Sequence, residues 1–312
     1  VNTFSQRLEE AIRRCGNPVL VGLDPRPELL PGALGTDHGN DFARSARACE
    51  VFCCEVIDAV ARWVPAVKPQ AAFFERLGPE GMLALARVIE HAHARGLLVI
   101  FDGKRNDIGS TATAYARGIL GADHQSPWGA DALTVSPYLG EDSLEPFVET
   151  ALERQAGVFV LVKTSNPGGA MLQDLVVDDR TIHQRVGDYV ETQAKRTDPG
   201  NGYGEIGAVV GATWPEQLAE LRRQMPHTWF LVPGFGAQGG SAADVAGAFD
   251  DRGLGAVINS SRGIIFAYTK EPYSARFGRI RWQEAVEAAA RDMIAQLRDA
   301  TPAGTLQHDS RP

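Results

Sequence analysis

The chain has 312 residues, 44% of them hydrophobic and 22% charged, with a formal net charge of −8. That composition is ordinary for a globular protein, and the acidic balance, with no stripe of basic residues, argues against a nucleic-acid partner. No apolar run approaches the roughly 18 residues that span a bilayer, so a membrane partner is not expected either.

The N-terminal stretch "VNTFSQRLEEAIRR" reads as an amphipathic helix, not a signal peptide. Ser5 is a candidate cap, and Phe4, Leu8 and Ile12 share a face. Eight short apolar runs follow, each ended by Gly, Pro or a polar residue. They are "PVLVGLD" (18–24), "AVKPQ" (66–70), "LLVIFDGK" (97–104), "DALTVSP" (131–137), "GVFVLVKTS" (157–165), "IGAVVGAT" (206–213), "TWFLVPG" (228–234) and "GAVINSSR" (255–262). They are nearly continuous in apolar residues, as strands buried on both faces are.

Helical patterns lie between them. "FARSARACEVFCCEVIDAVARW" separates the first two strands and "GPEGMLALARVIEHAHARG" the next two. "STATAYARGILG", "EDSLEPFVETALERQ", "DDRTIHQRVGDYVETQAKR", "WPEQLAELRRQM" and "SAADVAGAFDDRG" continue the alternation, and "RIRWQEAVEAAARDMIAQLRDA" ends it. Eight strand–helix units predict an α/β fold, a single (β/α)8 TIM barrel over residues 1–300; an open doubly wound sheet is the structural alternative. Residues 196–205, "RTDPGNGYGE", read as a loop, and residues 301–312 as a disordered tail. Cys15, Cys49, Cys53 and Cys54 match no zinc spacing, and adjacent cysteines rarely pair. They read as reduced thiols, which suits a cytoplasmic protein.

In a parallel barrel the active site lies at the C-terminal ends of the strands. Those ends are polar here: Asp24, Lys68, Asp102 with Lys104, Thr164 and Ser165, Thr213, the "PGFGAQGG" loop with Gln238, and "NSSRG" with Arg262. Each alone has a bland explanation, such as a turn starter or a surface ion pair. Together they place several charges at one rim, which is costly unless the charges are paired in a site. Asp102 and Lys104 are two apart, so strand alternation predicts that both point into the barrel mouth. Asp107 lies beyond the strand, free to bend back or to reach a neighbouring subunit. The glycines of "PGFGAQGG" and the guanidinium of Arg262 suit capture of a phosphate.

In order along the chain, "VGLDPR", "VKPQAAFFE", "FDGKRNDIGST", "TVSPYLG", "VKTSNPGG", "GAVVGAT", "VPGFGAQGG" and "NSSRGI" make it resemble the orotidine 5′-phosphate decarboxylases over nearly its whole length. Gly109, where the shorter subgroup usually has Pro, and the long segment 166–205 suit the longer bacterial subgroup, type 2. The resemblance implies decarboxylation of orotidine 5′-phosphate in pyrimidine biosynthesis, without cofactor or metal. It implies that Lys104 protonates carbon 6 of the pyrimidine and that Asp102 sits beside the substrate carboxylate. It implies a homodimer in which the partner subunit supplies Asp107, Ile108 and Thr111. Asp24 and Lys68 would hold the ribose hydroxyls, and Gln238 and Arg262 the phosphate. Ser165 would bind the pyrimidine amide edge, with Thr164 beside it as the competing candidate. The rival functions are a phosphosugar aldolase or epimerase on the same barrel, which would usually need a metal, and a non-catalytic nucleotide-binding barrel.

Overall fold

The computed structural model of the chain describes residues 2–32, 34, 41–122, 125–236 and 239–306. Eight parallel strands close into a barrel in chain order: β1 (Val19–Leu23), β2 (Ala66–Pro69), β3 (Leu98–Arg105), β4 (Ala132–Val135), β5 (Gly157–Lys163), β6 (Ile206–Val210), β7 (Phe230–Val232) and β8 (Ala256–Ser260). β8 returns to β1 with Val19 opposite Ile258, which closes the ring. Every residue of β1, β2, β4, β6, β7 and β8 is buried, because side chains fill the barrel on one face and meet the helices on the other. The eight predicted strands thus stand, β3 shifted by one residue and the others trimmed by one to four, and the barrel replaces the open-sheet alternative.

The helices pack around the outside. The main ones are α1 (Phe4–Cys15), α2 (Phe42–Val60), α3 (Gly78–Ala94), α4 (Gly109–Ile119), α5 (Glu141–Glu153), α6 (Ile182–Thr197), α7 (Pro215–Gln224) and α8 (Trp282–Ala300). Among the described residues no helix is long and apolar enough to cross a membrane. α1 packs against the N-terminal end of the barrel. Phe4 meets Phe159 edge-on with ring centroids 6.0 Å apart, and a Cβ at Gly157 would come within 2.2 Å of the Phe4 ring. Ser5 is not the cap of α1. Thr3 caps it, in a box with Gln6, while Ser5 is buried and accepts the indole N–H of Trp229 at 2.8 Å.

Three further departures from the sequence reading have local causes. The segment after β5 contains a small hairpin, Val176–Val177 with Arg180–Thr181. Asp178 and Asp179 turn it with φ of 49° and 63°, the double positive φ of a type I′ turn; α6 then starts behind a Thr181–Gln184 capping box. The run "SAADVAGAFDDRG" is one α-helical turn, Ala242–Val245, followed by a 3₁₀ turn, Ala246–Ala248. Gly247 packs there so close to α7 that a Cβ would lie 2.8 Å from that of Ala219. The tail is not disordered from residue 301: Pro302–Thr305 form a 3₁₀ turn with Ala303 and Leu306 buried. Residues 307–312 lie outside the described residues. All four cysteines are free; Cys15, Cys49 and Cys53 are buried and Cys54 is half-buried. Burial pushes the Cys49 thiol up to about 12 and that of Cys54 to about 11, so neither is a thiolate at neutral pH.

Candidate active site

A cavity of about 450 Å³ opens at the C-terminal ends of the strands, where a barrel of this kind binds ligands. Asp102 is its electrostatic centre. One carboxylate oxygen accepts from the Lys68 ammonium at 2.6 Å and from the Gln70 amide at 3.0 Å. The other accepts from the Lys104 ammonium at 2.6 Å and from the Thr134 hydroxyl at 2.9 Å. Burial alone would raise the Asp102 carboxyl, but the two ammoniums outweigh it and hold the group well below the usual carboxylate range. Burial would likewise lower Lys68, and Asp102 and Asp24 reverse that, so its ammonium is held above the ordinary lysine value. The result is a fixed row of plus, minus, plus.

Asp102 and Lys104 both line the cavity, as alternation predicts, but β3 is not a regular strand there. Phe101 opposes Leu133 and Arg105 opposes Val135, so β3 carries two extra residues against β4. Lys104 takes a φ of 43°, a left-handed conformation that costs a non-glycine residue about 1 kcal/mol or more. Its amide leaves the ladder and donates to the Thr134 hydroxyl at 2.9 Å. Thr134 therefore serves both the backbone and the side chain of the array. The Lys104 side chain is 47% exposed, that of Lys68 only 5%; both line the cavity, Lys104 open to it and Lys68 buried in its wall.

The other candidates fall as follows. Asp24 lines the cavity, and its Oδ1 is buried with no hydrogen-bond partner among the described residues. Thr164 and Ser165 both line it, but the Thr164 hydroxyl already accepts from Gln173 at 2.8 Å. Arg262 lines it from the first turn after β8. The glycine loop after β7 folds back on itself, Gly236 donating to the Gly240 carbonyl at 2.8 Å. Gly234 and Gly236 take φ of 104° and 72°, which other residues would adopt only with strain. Gln238 lies outside the described residues. Asp107, Ile108 and Thr111 do not line this chain's cavity. The Asp107 carboxylate accepts its neighbour's amide, Ile108 N–H, at 2.9 Å, and Ile108 is 56% exposed.

Gln70, Thr134 and Asn259 also line the cavity and were not singled out from the sequence. Asn259 is buried with an unpartnered Oδ1 among the described residues. Gln70 and Asn259 sit in the polar endings of β2 and β8, whereas Thr134 lies on β4, whose end carries no charge.

Comparison with known proteins agrees with this geometry. The sequence pattern of the orotidine 5′-phosphate decarboxylase / HUMPS family matches residues 17–276. An orotidine 5′-phosphate decarboxylase of Rhodopirellula baltica is 59% identical over 299 residues, 95% of this chain and 99% of that one. Its counterpart in Haloarcula marismortui is 44% identical over 267 residues, 85% and 87% of the two chains. The structure of Leishmania donovani OMP decarboxylase superposes with a TM-score of 0.73 at 34% identity, covering 96% of this chain and 98% of that one. The chain is a member of the orotidine 5′-phosphate decarboxylase / HUMPS family.

Proposed function

We propose that this protein converts orotidine 5′-phosphate to uridine 5′-phosphate in de novo pyrimidine biosynthesis, as a cytoplasmic homodimer using neither metal nor cofactor. The observation that carries this reading is the Lys68–Asp102–Lys104 row at the cavity wall. Loss of carbon dioxide leaves an electron pair on carbon 6, in the plane of the ring, where no carbonyl conjugates with it. Preorganised charge is then the available stabiliser. The bond between carbon 6 and the carboxylate breaks, the pair stays on carbon 6, and the Lys104 ammonium gives it a proton. The neutral amine left behind is reprotonated from solvent. Asp102 stands beside the departing carboxylate, and their repulsion is relieved as carbon dioxide leaves.

The remaining cavity residues divide among the parts of the nucleotide. The free Oδ1 of Asp24 accepts a ribose hydroxyl, with Lys68 beside it. Ser165 takes the pyrimidine edge; its hydroxyl makes no hydrogen bond among the described residues, whereas that of Thr164 is engaged. Arg262 and the glycine loop, with Gln238, take the phosphate. Asp107, Ile108 and Thr111 complete the partner subunit's site; their place outside this chain's own cavity and the exposure of Ile108 support that.

The test is turnover of orotidine 5′-phosphate, followed by absorbance with and without a chelator. Turnover unaffected by chelator is expected. No turnover overturns the activity, and chelator-sensitive turnover overturns the metal-free chemistry. Mixing the Asp107→Ala and Lys104→Ala proteins tests the shared site: activity should reappear as subunits exchange, and its absence in exchanging dimers contradicts the sharing.

A further inference from the structure

The end of β5 is gripped from outside the barrel. Lys163, its last residue, is fully buried, pairs with Asp174, and lies 4.8 Å from the centroid of the Trp214 ring. Gln173, next to Asp174, holds Thr164 twice: its Oε1 accepts from the Thr164 amide at 3.0 Å, and its Nε2 donates to the Thr164 hydroxyl at 2.8 Å. The indole N–H of Trp214 donates to the Thr164 carbonyl at 3.0 Å, and the Thr213 hydroxyl to the Ser165 carbonyl at 3.0 Å. Behind them the buried His183 places Nδ1 2.9 Å from the Gln173 carbonyl and 3.2 Å from the Asp174 carboxylate. On the far side, a Cβ at Gly211 would come within 2.7 Å of the Ser165 Cα.

Every polar group of Thr164, and the carbonyl of Ser165, is thus engaged, while the Ser165 hydroxyl is left for the cavity. A lysine is not buried without a partner at small cost, so Asp174 ties the segment after β5 to the strand end, and Gln173 uses that tie to fix the backbone. Two of the clamping residues belong to the long segment between β5 and β6, to which composition and motif assign no task. We propose that Gln173, Asp174 and Trp214 are positioning residues for the base: they lock the end of β5 so that the Ser165 hydroxyl meets the pyrimidine. The proposal rests on the reading of Ser165 as the base contact. The phosphate grip lies elsewhere on the ring of strands, after β7 and β8, so the clamp should affect ligands that carry a base and spare those that lack one.

The experiment compares Gln173→Ala and Trp214→Phe with the wild type and with Ser165→Ala. Gln173→Ala leaves Lys163 its partner, and Trp214→Phe keeps an aromatic ring beside Lys163 while removing the N–H. Binding of uridine 5′-phosphate and of ribose 5-phosphate is measured by calorimetry, with KM and kcat for orotidine 5′-phosphate. Each clamp variant should weaken uridine 5′-phosphate about five- to tenfold, the worth of one hydrogen bond, and ribose 5-phosphate by less than about twofold. Gln173→Ala added to Ser165→Ala should cost nothing further. If Ser165→Ala discriminates between the two ligands and the clamp variants do not, the clamp is overturned and the Ser165 reading stands. If Ser165→Ala does not discriminate, that reading falls and the clamp falls with it. Equal weakening of both ligands by the clamp variants also overturns the proposal, because it marks general disorder.

Discussion

Replacing Asp102 by Asn keeps the shape of the side chain and removes the one negative charge between two ammoniums. The two lysines respond differently because their surroundings differ. Lys68 is buried, its side chain 5% exposed, and without Asp102 its charge has only Asp24 nearby among the described residues. Breaking a buried pair costs about 3–5 kcal/mol, so Asp102→Asn should lose stability on that scale. The Lys104 side chain is 47% exposed, and solvent screens its share, so Lys104→Met should stay within about 1 kcal/mol of wild type. Removing both buried charges, in Asp102→Asn/Lys68→Met, should recover part of the loss, because a buried pair is easier to dispense with whole than by halves. The measurement is the urea unfolding midpoint at constant slope. The pH dependence has a definite sign. The Asp102 carboxyl is held below its ordinary value, so its contribution is present above pH about 4 and lost as pH falls further, through its folded value. The gap between wild type and Asp102→Asn should narrow there. Equal losses for Asp102→Asn and Lys104→Met, or a double variant no more stable than Asp102→Asn alone, would refute the asymmetry.

Other outcomes follow from single features. Glu205 is buried beneath α1, and burial pushes its carboxyl up to about 7 despite the hydrogen bond from the Ser5 amide at 3.0 Å and the nearby Arg7. A raised acid stabilises while protonated, so its contribution is full below about pH 4 and declines by up to about 3 kcal/mol as pH rises through 7. Glu205→Gln should flatten stability between pH 5 and 8, and an unchanged profile would contradict this. Leu306→Ala should cost about 2–3 kcal/mol, because that side chain is 5% exposed; no loss in thermal unfolding would return residues 301–306 to the status of a loose tail. Arg262→Ala should raise KM for the nucleotide about a hundredfold and leave binding of uridine nearly unchanged, which calorimetry would show.

The barrel was legible because its strands are short, apolar and separated by well-formed helical periods. The charged rim was legible for the same reason: Asp24, Lys68, Asp102, Lys104 and Arg262 stand at the ends of strands whose interiors are apolar. What escaped depended on tertiary partners. Strand alternation puts Asp102 and Lys104 on one face, yet a bulge and a positive φ deliver Lys104 there, and nothing local in "FDGKR" announces either. Thr134 and Gln70 matter only because Asp102 lies across the strand gap from them. Ser5 looks like a cap in sequence and becomes a buried acceptor once Trp229, 224 residues away, packs over it. The tail reads as polar and Pro-rich, but Ala303 and Leu306 find an apolar surface.

Whether the Lys104 ammonium delivers the proton to carbon 6 is tested most directly by single-turnover decarboxylation by Lys104→Ala, measured beside its affinity for uridine 5′-phosphate. The rate should fall by at least about a thousandfold, in keeping with the loss of a general acid and a stabilising charge, while the nucleotide still binds. A Lys104→Ala protein that turns over within about tenfold of wild type would contradict that role.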